Sequence, residues 1–217
     1  MKEQTARLPL RLPSRPLDAA EFDDRLLKGD RRQGFVLYRP SCPGCSACEP
    51  IRLSSQSYRP SKTQRRISRL GDKLLTMQIG APKVDGRRVR LYNEHKSARN
   101  LRDGQPPIDE DGYRDFLVAT CCETFELSFY LSETLVGIAI CDRSQSAISA
   151  VYCCYDPNFS RLSIGTYSIL KQLDLCRRWG LKYVYLGLYI SGCQSMEYKA
   201  RYLPHERLID NRWQQFG

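Results

Sequence analysis

Three cysteines recur at three-residue spacing in the segment YRPSCPGCSACEP, residues 38–50. Cys42, Cys45 and Cys48 lie in a stretch rich in proline, glycine and serine, which is typical of a turn. Thiolates at such spacing bind zinc or an iron–sulfur cluster, and they also carry redox chemistry. A tetrahedral site needs four ligands, however, and this segment supplies only three. Three interpretations stay open here: a metal knuckle, a redox site and a structural loop.

The cysteine count and the chain length together indicate a reducing compartment. Ten cysteines in 217 residues do not fit a small secreted disulfide scaffold, because a chain of this length buries enough surface to fold without crosslinks. The initial segment MKEQTARLPLRLP lacks the apolar core of a signal peptide. The longest apolar run, LVGIAIC, is far too short to span a membrane. We expect a soluble, cytoplasmic protein with reduced thiols and no membrane partner.

Positive charge is concentrated in one segment. The net charge is +10, and residues 59–90 contain ten Lys and Arg against only Asp72 and Asp85. Within this segment SKTQ has the form of a capping box, which predicts a helix beginning after Ser61. At roughly 100° per residue five cations share one stripe of that helix. They are Lys62, Arg65, Arg66, Arg69 and Lys73. Such a stripe favours contact with the phosphates of a nucleic acid over a merely solvated face.

The order of predicted elements indicates an α+β fold with a mixed, mostly antiparallel sheet. The runs TFELSFYL, LVGIAIC and AISAVYCCY are separated by short turns, so they should form an antiparallel meander. A helix over about residues 164–179 and the alternating strand KYVYLGLYI should follow. Residues 1–58 are predicted to form a small N-terminal domain around the cysteines, and residues 59–217 the larger domain.

The last predicted strand and the segment behind it have the composition of a polar ligand site. The alternation places Tyr183, Tyr185, Gly187 and Tyr189 on one side of the strand. A glycine in a strand is typical of close approach by a ligand, although tyrosines on such a face also pack simply under a helix. The following GCQSMEYKARY supplies aromatic and basic side chains. The substrate-binding residues predicted in this region are Gly187, Met196, Tyr198, Lys199 and Arg201.

Other kinds of site are disfavoured by missing motifs. The chain has no G-x-S-x-G, no H-E-x-x-H and no glycine-rich nucleotide loop. The two histidines, His95 and His205, are expected at the surface or at helix caps. Meander, helix and strand suggest the N-acetyltransferase (GNAT) architecture, but SRLSIGTYS has only one glycine, at the wrong spacing for a coenzyme A pyrophosphate loop. Coenzyme A-dependent acetyl transfer is therefore disfavoured.

Several segments together resemble one family. YRPSCPGCSACEPIRL, RPSKTQRR, AVYCCYDP, IGTYSIL, YLGLYISGCQSMEYKARYLP and a late RW are similar, in this order, to the bacterial aminoacyl-tRNA–protein transferases. These are the aspartate/glutamate leucyltransferases and their arginyltransferase relatives, and the resemblance covers nearly the whole chain. It implies a GNAT-like acyltransferase domain with a small N-terminal domain. It also implies transfer of leucine or arginine from tRNA to the N-terminal Asp or Glu of proteins, which marks them for degradation.

The resemblance bears on the cysteines as well. Family members commonly carry a further cysteine in a C-x-Y-L-P element before a stretch like QTARL, and the N-terminal cysteines of the wider family are implicated in metal or iron–sulfur binding. This chain begins MKEQTARL, so that half of the set has no counterpart. We expect no required cofactor, and free thiols at Cys42, Cys45 and Cys48 rather than a bound zinc ion or cluster. The expected partners are aminoacyl-tRNA and proteins with an N-terminal Asp or Glu, not DNA.

The implied reaction assigns roles by residue type. The acceptor's α-amine, with a pKa near ~8, attacks the ester of aminoacyl-tRNA, so holding the two ends in line supplies much of the rate. The acceptor's carboxylate needs a cation, and Lys199 and Arg201 are predicted to provide it, with Arg39 in reserve. Tyrosines are predicted to line the cleft or donate to the carbonyl, and the helix start to bind a phosphate or the oxyanion. These residues are Tyr152, Tyr167, Tyr185 and Tyr189, and then Gly165 and Thr166.

No general base can be identified from the sequence, and the choice between leucine and arginine stays open. A second hypothesis also stays open, in which the chain is a catalytically silent tRNA- or metal-binding relative that kept the fold. The first hypothesis predicts transfer to peptides that begin with Asp or Glu. The second predicts tRNA binding without transfer.

Overall fold

The computed structural model describes residues 6–102 and 104–217. Its β-strands are β1 (Leu10–Arg11), β2 (Arg31–Gln33), β3 (Val36–Tyr38), β4 (Glu49–Ser54), β5 (Leu75–Gly80), β6 (Thr124–Leu131), β7 (Thr134–Arg143), β8 (Ala147–Tyr155), β9 (Tyr183–Tyr189), β10 (His205–Ile209) and β11 (Arg212–Phe216). Its α-helices are α1 (Ala19–Leu27), α2 (Lys62–Leu74), α3 (Gly86–Ala98), α4 (Glu110–Tyr113), α5 (Ile164–Arg178) and α6 (Gln194–Glu197). A π-helical turn follows α4 at Arg114–Val118, and 3-10 turns lie at Pro157–Leu162 and Tyr198–Arg201.

One large sheet holds most of the strands, in the order β11-β10-β4-β9-β8-β7-β6-β5. Neighbouring strands in it are antiparallel except β8 and β9, which are parallel and are joined by α5 as a crossover helix. A smaller sheet has the order β1-β3-β2. The predicted α+β fold with a mixed, mostly antiparallel sheet is confirmed, and so is the antiparallel meander of β6, β7 and β8.

Strand β4 comes from the cysteine-containing N-terminal part of the chain and lies inside the large sheet. It pairs with β9 on one side and with β10 on the other. Its side chains Ile51 and Leu53 belong to the main hydrophobic core. The domain boundary at residue 58 stays a prediction, but residues 49–54 on its N-terminal side are part of the main sheet.

Helices cover both faces of the large sheet. Alternate residues of β7 point to opposite faces, so Ala139 packs in the cluster that includes α5 while Ile138 and Ile140 pack with Leu91 of α3. Helix α2 lies against α5 at Gly71, where a Cβ would overlap the Tyr167 ring. Among the helices of the described residues, none combines the length and the apolar character that crossing a bilayer requires.

Strand β9 contains a bulge that the alternating pattern did not predict. Ile51 of β4 pairs with Gly187, and the next residue, Arg52, pairs with Tyr185, so one extra residue of β9 is accommodated there. Gly187 has φ +91°, a conformation that favours glycine. Beyond the bulge the alternation is shifted: Tyr185 packs in one apolar cluster, whereas Tyr189 packs against another. The prediction that these two tyrosines share a face is wrong.

Candidate active site

The two parallel strands at the centre of the sheet separate and leave a cleft. β8 and β9 pair only from Ala147 opposite Tyr183 to Ser149 opposite Tyr185. Beyond that point β9 has its bulge, and the two strands no longer pair. A cavity of about 500 Å³ opens there. Its walls come from the second half of β8, the start of α5, the end of α3 and the segment after β9.

This cavity brings together most of the residues that the sequence predicts to bind substrate. Those that line it are Tyr152, Gly165, Thr166, Met196, Tyr198 and Lys199. Gly165 and Thr166 belong to the first turn of α5, where backbone N–H groups have no partner within the helix. Tyr152 shares an aromatic cluster with Tyr92 of α3, 5.2 Å between ring centroids, and burial raises the pKa of its hydroxyl. Its phenol is therefore a neutral hydrogen-bonding group.

Lys199 is a buried cation in the wall of this cavity. Its side chain follows a short turn after β9 and donates to the Leu188 carbonyl oxygen at 2.6 Å and to Met196 Sδ at 3.4 Å. Only 8% of the residue is exposed. Burial, and then the neighbouring charge of Arg31, lower the pKa of Lys199 to about 7. Both protonation states are therefore accessible near neutral pH, and a bound anion would favour the charged one.

A second buried cation, Arg31 of β2, lies near Lys199 beside Gly187 but is not one of the residues that line the cavity, and no signal in the sequence distinguished it. A Cβ placed on Gly187 would lie 3.3 Å from Arg31 Nη2 and 3.4 Å from Lys199 Nζ. Arg31 Nη1 is buried and has no hydrogen-bond partner among the described residues. Burial also lowers the pKa of this guanidinium, opposed by nearby tyrosines. Two cations thus flank a gap that exists because residue 187 has no side chain.

The neighbouring residue of β2 fixes Arg31 in position. Arg32 Nε donates to both oxygens of Asp142 at 2.9 Å, and its Nη1 donates to the Ala119 carbonyl at 2.8 Å. Both side chains of this ion pair are fully buried. Successive residues of a strand point to opposite sides, so an anchored Arg32 directs Arg31 away from Asp142 and toward β9.

The cavity floor is apolar and uncharged. Val151, Ile169 and Leu186 line it, and the described lining includes no Asp or Glu. One polar group is left unpaired there. Gln172 Nε2 donates to Ser168 Oγ at 3.1 Å, whereas Gln172 Oε1 is buried without a partner among the described residues. That oxygen is an acceptor available to a bound ligand.

Both histidines are buried, so their expected surface positions are wrong. His95 lines the cavity, and its Nδ1 lies 3.3 Å from the carbonyl oxygen and 3.4 Å from the amide nitrogen of Tyr155. Burial, and then Arg99, lower the pKa of His95 to about 4, so its ring is neutral at physiological pH. His205 bonds the Tyr202 carbonyl at 3.0 Å and stacks on Phe216, outside this cavity.

Three predicted catalytic tyrosines lie outside the cavity lining. Tyr167 donates its hydroxyl to Asp72 at 3.0 Å beneath α2. The hydroxyl of Tyr185 accepts from Arg52 Nη1 at 3.0 Å. The Tyr189 ring lies under the Arg207 guanidinium, 4.7 Å away. A direct role for these three tyrosines stays a prediction without support from the geometry.

Arg39 and Arg201, which were predicted to bind the acceptor's carboxylate, also lie outside the cavity lining. Arg39 Nη1 donates to the Lys28 carbonyl at 2.7 Å, and its Nε lies 3.4 Å from Asp30. Arg201 is exposed and does not belong to the cavity lining. Gly187 contributes through the gap between Arg31 and Lys199 rather than as a lining residue.

The basic helix has the predicted start and the predicted exposed stripe. Ser61 Oγ accepts from the Gln64 amide at 3.2 Å, and Gln64 Oε1 accepts from the Ser61 amide at 2.8 Å. The five cations of the stripe are exposed, and no ion pair neutralises any of them within the described residues. Asp72, on the same helix, pairs instead with Lys171 of α5 at 2.6 Å. A role of Lys62, Arg65, Arg66, Arg69 and Lys73 in RNA binding stays a prediction.

The cysteine turn has the free thiols of Cys42, Cys45 and Cys48. Cys42 Sγ accepts from the Arg7 amide at 3.2 Å, and the Cys45 amide donates to the Cys42 carbonyl at 3.3 Å. Burial, and then the neighbouring thiols, raise the pKa of Cys48. Within residues 6–102 and 104–217, no three His, Cys, Asp or Glu side chains are grouped to hold a metal ion. The expectation of free thiols without a bound zinc ion or cluster stays a prediction.

Family models match both parts of the sequence. Residues 1–66 match the model described as arginine-tRNA-protein transferase, N terminus, and residues 87–209 match the model of the C terminus. The chain belongs to the arginine-tRNA-protein transferase family. The resemblance inferred from the sequence is confirmed, and with it the prediction of an aminoacyltransferase.

Similar proteins carry the same type of name. The chain is 34% identical over 209 residues to an aspartate/glutamate leucyltransferase of Chromobacterium violaceum, covering 96% of this chain and 86% of that protein. It is 37% identical over 189 residues to an aspartate/glutamate leucyltransferase of Saccharophagus degradans, covering 87% of this chain and 80% of the relative. These transferases are therefore similar to this chain over nearly its full length.

Solved structures share the fold at low identity. L-PGS from Bacillus licheniformis superposes with a TM-score of 0.51 at 10% identity, over 69% of this chain and 49% of that one. FemX superposes with a TM-score of 0.50 at 10% identity, over 83% of this chain and 63% of that one. At this identity the likeness concerns the fold alone.

Proposed function

We propose that this family member transfers leucine from leucyl-tRNA to the N-terminal Asp or Glu of acceptor proteins. The observation that carries the acceptor half of this proposal is the pair of buried cations, Arg31 and Lys199, beside Gly187. A buried charge without a counterion is costly, so two of them side by side favour a site that an anionic ligand completes. The side-chain carboxylate of an N-terminal Asp or Glu has the matching charge and can accept from both nitrogens.

Leucine fits the donor side better than arginine does. The cavity floor is lined by apolar side chains such as Val151, Ile169 and Leu186. A guanidinium in this cavity would meet the cations Arg99 and Lys199, with no carboxylate in the described lining. The names of the similar leucyltransferases agree with this choice. Burial of a leucyl side chain would stabilise the bound ester by about 2 kcal/mol.

The reaction requires little beyond alignment of its two partners. The acceptor's neutral α-amine attacks the ester carbonyl, a C–N bond forms, and the ester C–O bond breaks. The amine loses a proton, and the ribose oxygen of the tRNA leaves as a hydroxyl group, so atoms and charge balance. Backbone N–H groups of Gly165 and Thr166 at the start of α5 are available to the developing oxyanion. Binding both ends in one cleft supplies the entropic part of the rate.

The fold is that of a GNAT-like acyltransferase, in which two neighbouring parallel strands separate and the acyl group binds between them. The separation of β8 from β9 after Ser149 and Tyr185, with α5 as the crossover between them, supports this assignment. The body of the tRNA would bind along the exposed basic stripe of α2. A cytoplasmic location and a separate N-terminal cysteine domain stay predictions.

A reconstituted transfer assay tests the proposal. The purified protein is incubated with leucyl-tRNA or arginyl-tRNA and with peptides that begin with Asp, Glu or Ala, and peptide masses are measured. We expect a mass gain of one leucine on the Asp and Glu peptides only. Arg31→Met should abolish this gain, whereas the matched surface change Arg212→Met should leave it intact. Binding of tRNA without any new peptide bond would support the silent relative instead.

A further inference from the structure

A second cavity lies between the basic helix α2 and helix α5. Its volume is about 220 Å³, enough for one planar heterocycle but not for a helix or a strand. It lies beside the basic stripe, outside the active-site cavity. Its walls come from both helices and from the segment that leads into α2. The residues that line it are Tyr58, Pro60, Arg65, Ser68, Arg69, Leu170, Leu173, Asp174 and Arg177.

The base of this cavity is apolar and its rim is cationic. Leu170 and Leu173 of α5 are buried core residues that form part of the wall, together with Pro60. Arg65 and Arg69 belong to the rim, and both are exposed. Arg65 Nη1 donates to the Pro60 carbonyl at 2.6 Å, and Arg69 Nε donates to the Arg65 carbonyl at 3.4 Å; within the described residues neither side chain pairs with a carboxylate. Their charges are therefore not neutralised within the described chain.

One carboxylate, that of Asp174, lies in the wall of this cavity among several cations. Arg177 Nη1 donates to Asp174 at 3.2 Å, while its Nε and Nη2 donate to the carbonyls of Ser55 at 2.7 Å and Tyr58 at 3.3 Å. Lys171 also lies 3.4 Å from Asp174. A carboxylate in the wall disfavours a phosphate as the occupant of the cavity. It is, however, a good acceptor for the exocyclic amino group of a nucleobase.

We propose that this cavity binds one unstacked nucleobase of the tRNA whose phosphates contact α2. Single-stranded and splayed-out bases are held in RNA-binding proteins by stacking on guanidinium planes and apolar surface, with hydrogen bonds to the base edge. Arg65 and Arg69 provide the guanidinium groups, Leu170 and Leu173 the apolar surface, and Asp174 the acceptor. The inference rests on the proposed function, because that function supplies the RNA.

This cavity between α2 and α5, called the base pocket below, is close to the active-site cavity. One tRNA could therefore place a base in the base pocket and its aminoacyl end in the active-site cavity. Helix α5 separates the two: Gln172 lines the active-site cavity, and the adjacent Leu173 lines the base pocket. An α-helix is only about 10 Å across. A base held on one side of α5 therefore keeps the neighbouring strand close to the cleft that opens on the other side.

The test fills the base pocket without changing any charge. Ser68 lines it from α2, and Ser68→Phe would occupy it. Thr63→Phe is the matched control, since Thr63 lies on the same helix and outside the pocket lining. At roughly 100° per residue, residues 63 and 68 lie on opposite flanks of the basic stripe, at similar angles from its centre. Both variants thus add one ring beside the same cations.

We expect Ser68→Phe to weaken the affinity for deacylated tRNA about ten-fold at fixed salt, which is the size of one lost base stack. Thr63→Phe should stay within about two-fold of the parent protein. The dependence of log affinity on log salt should be unchanged in both variants, because no phosphate contact is lost. If Ser68→Phe fails to fold, as judged by circular dichroism, Ser68→Leu takes its place.

Transfer from a minimal donor separates this inference from the proposed function. A leucyl ester of a short single-stranded CCA oligonucleotide lacks the RNA that the base pocket would read, so both variants should use it at the parental rate. Equal tRNA affinity for the parent, Ser68→Phe and Thr63→Phe would overturn the base pocket while leaving leucyl transfer intact. A protein that transfers from no donor, yet still loses tRNA affinity in Ser68→Phe alone, would retain the pocket and refute the transferase.

Discussion

Arg31 Nη2 and Lys199 Nζ approach the same point beside Gly187, at 3.3 Å and 3.4 Å from the position of a missing Cβ. One cation comes from the small sheet near the N-terminus and the other from the turn after the last central strand. Neither has a carboxylate among its hydrogen-bond partners in the described residues. Since unpaired buried charges destabilise a fold, this pair is preorganised for an anion at a cost in stability.

A methyl group between Arg31 and Lys199 should weaken binding of the acceptor peptide without affecting binding of leucyl-tRNA. We expect Gly187→Ala to raise the KM for an Asp-initiated peptide at least ten-fold, because its Cβ would occupy the carboxylate position and because φ +91° strains alanine. The KM for leucyl-tRNA should change by less than about two-fold. Steady-state kinetics with each substrate varied in turn measures both constants. Gly44→Ala, at another positive φ, is the matched control for backbone strain.

The lowered pKa of Lys199 predicts a bell-shaped pH profile. The acceptor amine, with a pKa near ~8, must be neutral to attack, so kcat/KM rises with pH at first. Lys199 must be protonated to bind a carboxylate, and its pKa of about 7 in the free protein means that this form is lost as pH rises further. With these two values, kcat/KM near pH 9 should be roughly six-fold below its maximum.

Replacing that amine by a permanent cation should remove the alkaline fall. Arginine stays charged throughout this range, so Lys199→Arg should reach a plateau above about pH 9, one unit above the pKa of the acceptor amine, even if its maximal rate is lower. Measuring kcat/KM for an Asp-initiated peptide between pH 6 and 10 distinguishes the two shapes. An unchanged alkaline limb in Lys199→Arg would mean that another group causes it.

Breaking the ion pair between Arg32 and Asp142 should lower both the stability of the protein and its affinity for the acceptor peptide. Asp142→Asn leaves the buried Arg32 guanidinium without its counterion, and breaking such a pair costs about 3–5 kcal/mol in the free energy of unfolding. Urea denaturation measures this loss, with the exposed pair at Asp24 as the control, since Asp24→Asn should cost under about 1 kcal/mol. If the fold survives, the KM for the acidic peptide should rise as well, because β2 orients Arg31.

Local patterns in the sequence predicted the elements but not the long-range contacts that complete the site. The capping box at Ser61 and the meander of β6 to β8 depend on neighbouring residues, and both are confirmed. The bulge at Gly187 depends on pairing with β4, a strand distant in the sequence, so a period-two pattern could not reveal it.

The difference between local patterns and long-range contacts also explains which site residues the sequence predicted. Met196, Tyr198 and Lys199 are close in sequence, so one basic and aromatic segment identified them. Arg31 was missed because it is one of two adjacent arginines, and only the burial of Arg32 against Asp142 separates their roles. His95 was missed because its burial depends on Tyr155, contributed by another element.

The exposed stripe of α2 makes a quantitative prediction about salt. Each phosphate contact contributes roughly 0.7 to 0.9 to the slope of log affinity against log salt. Removing two cations in Arg66→Ala/Lys73→Ala should therefore flatten the slope for tRNA by about 1.5. The double change Arg90→Ala/Arg212→Ala removes the same charge from two other elements, α3 and β11, and should leave the slope unaltered. Titrations by fluorescence anisotropy at several salt concentrations measure both slopes. An equal change in the two double variants would assign the effect to net charge instead of to a docked RNA.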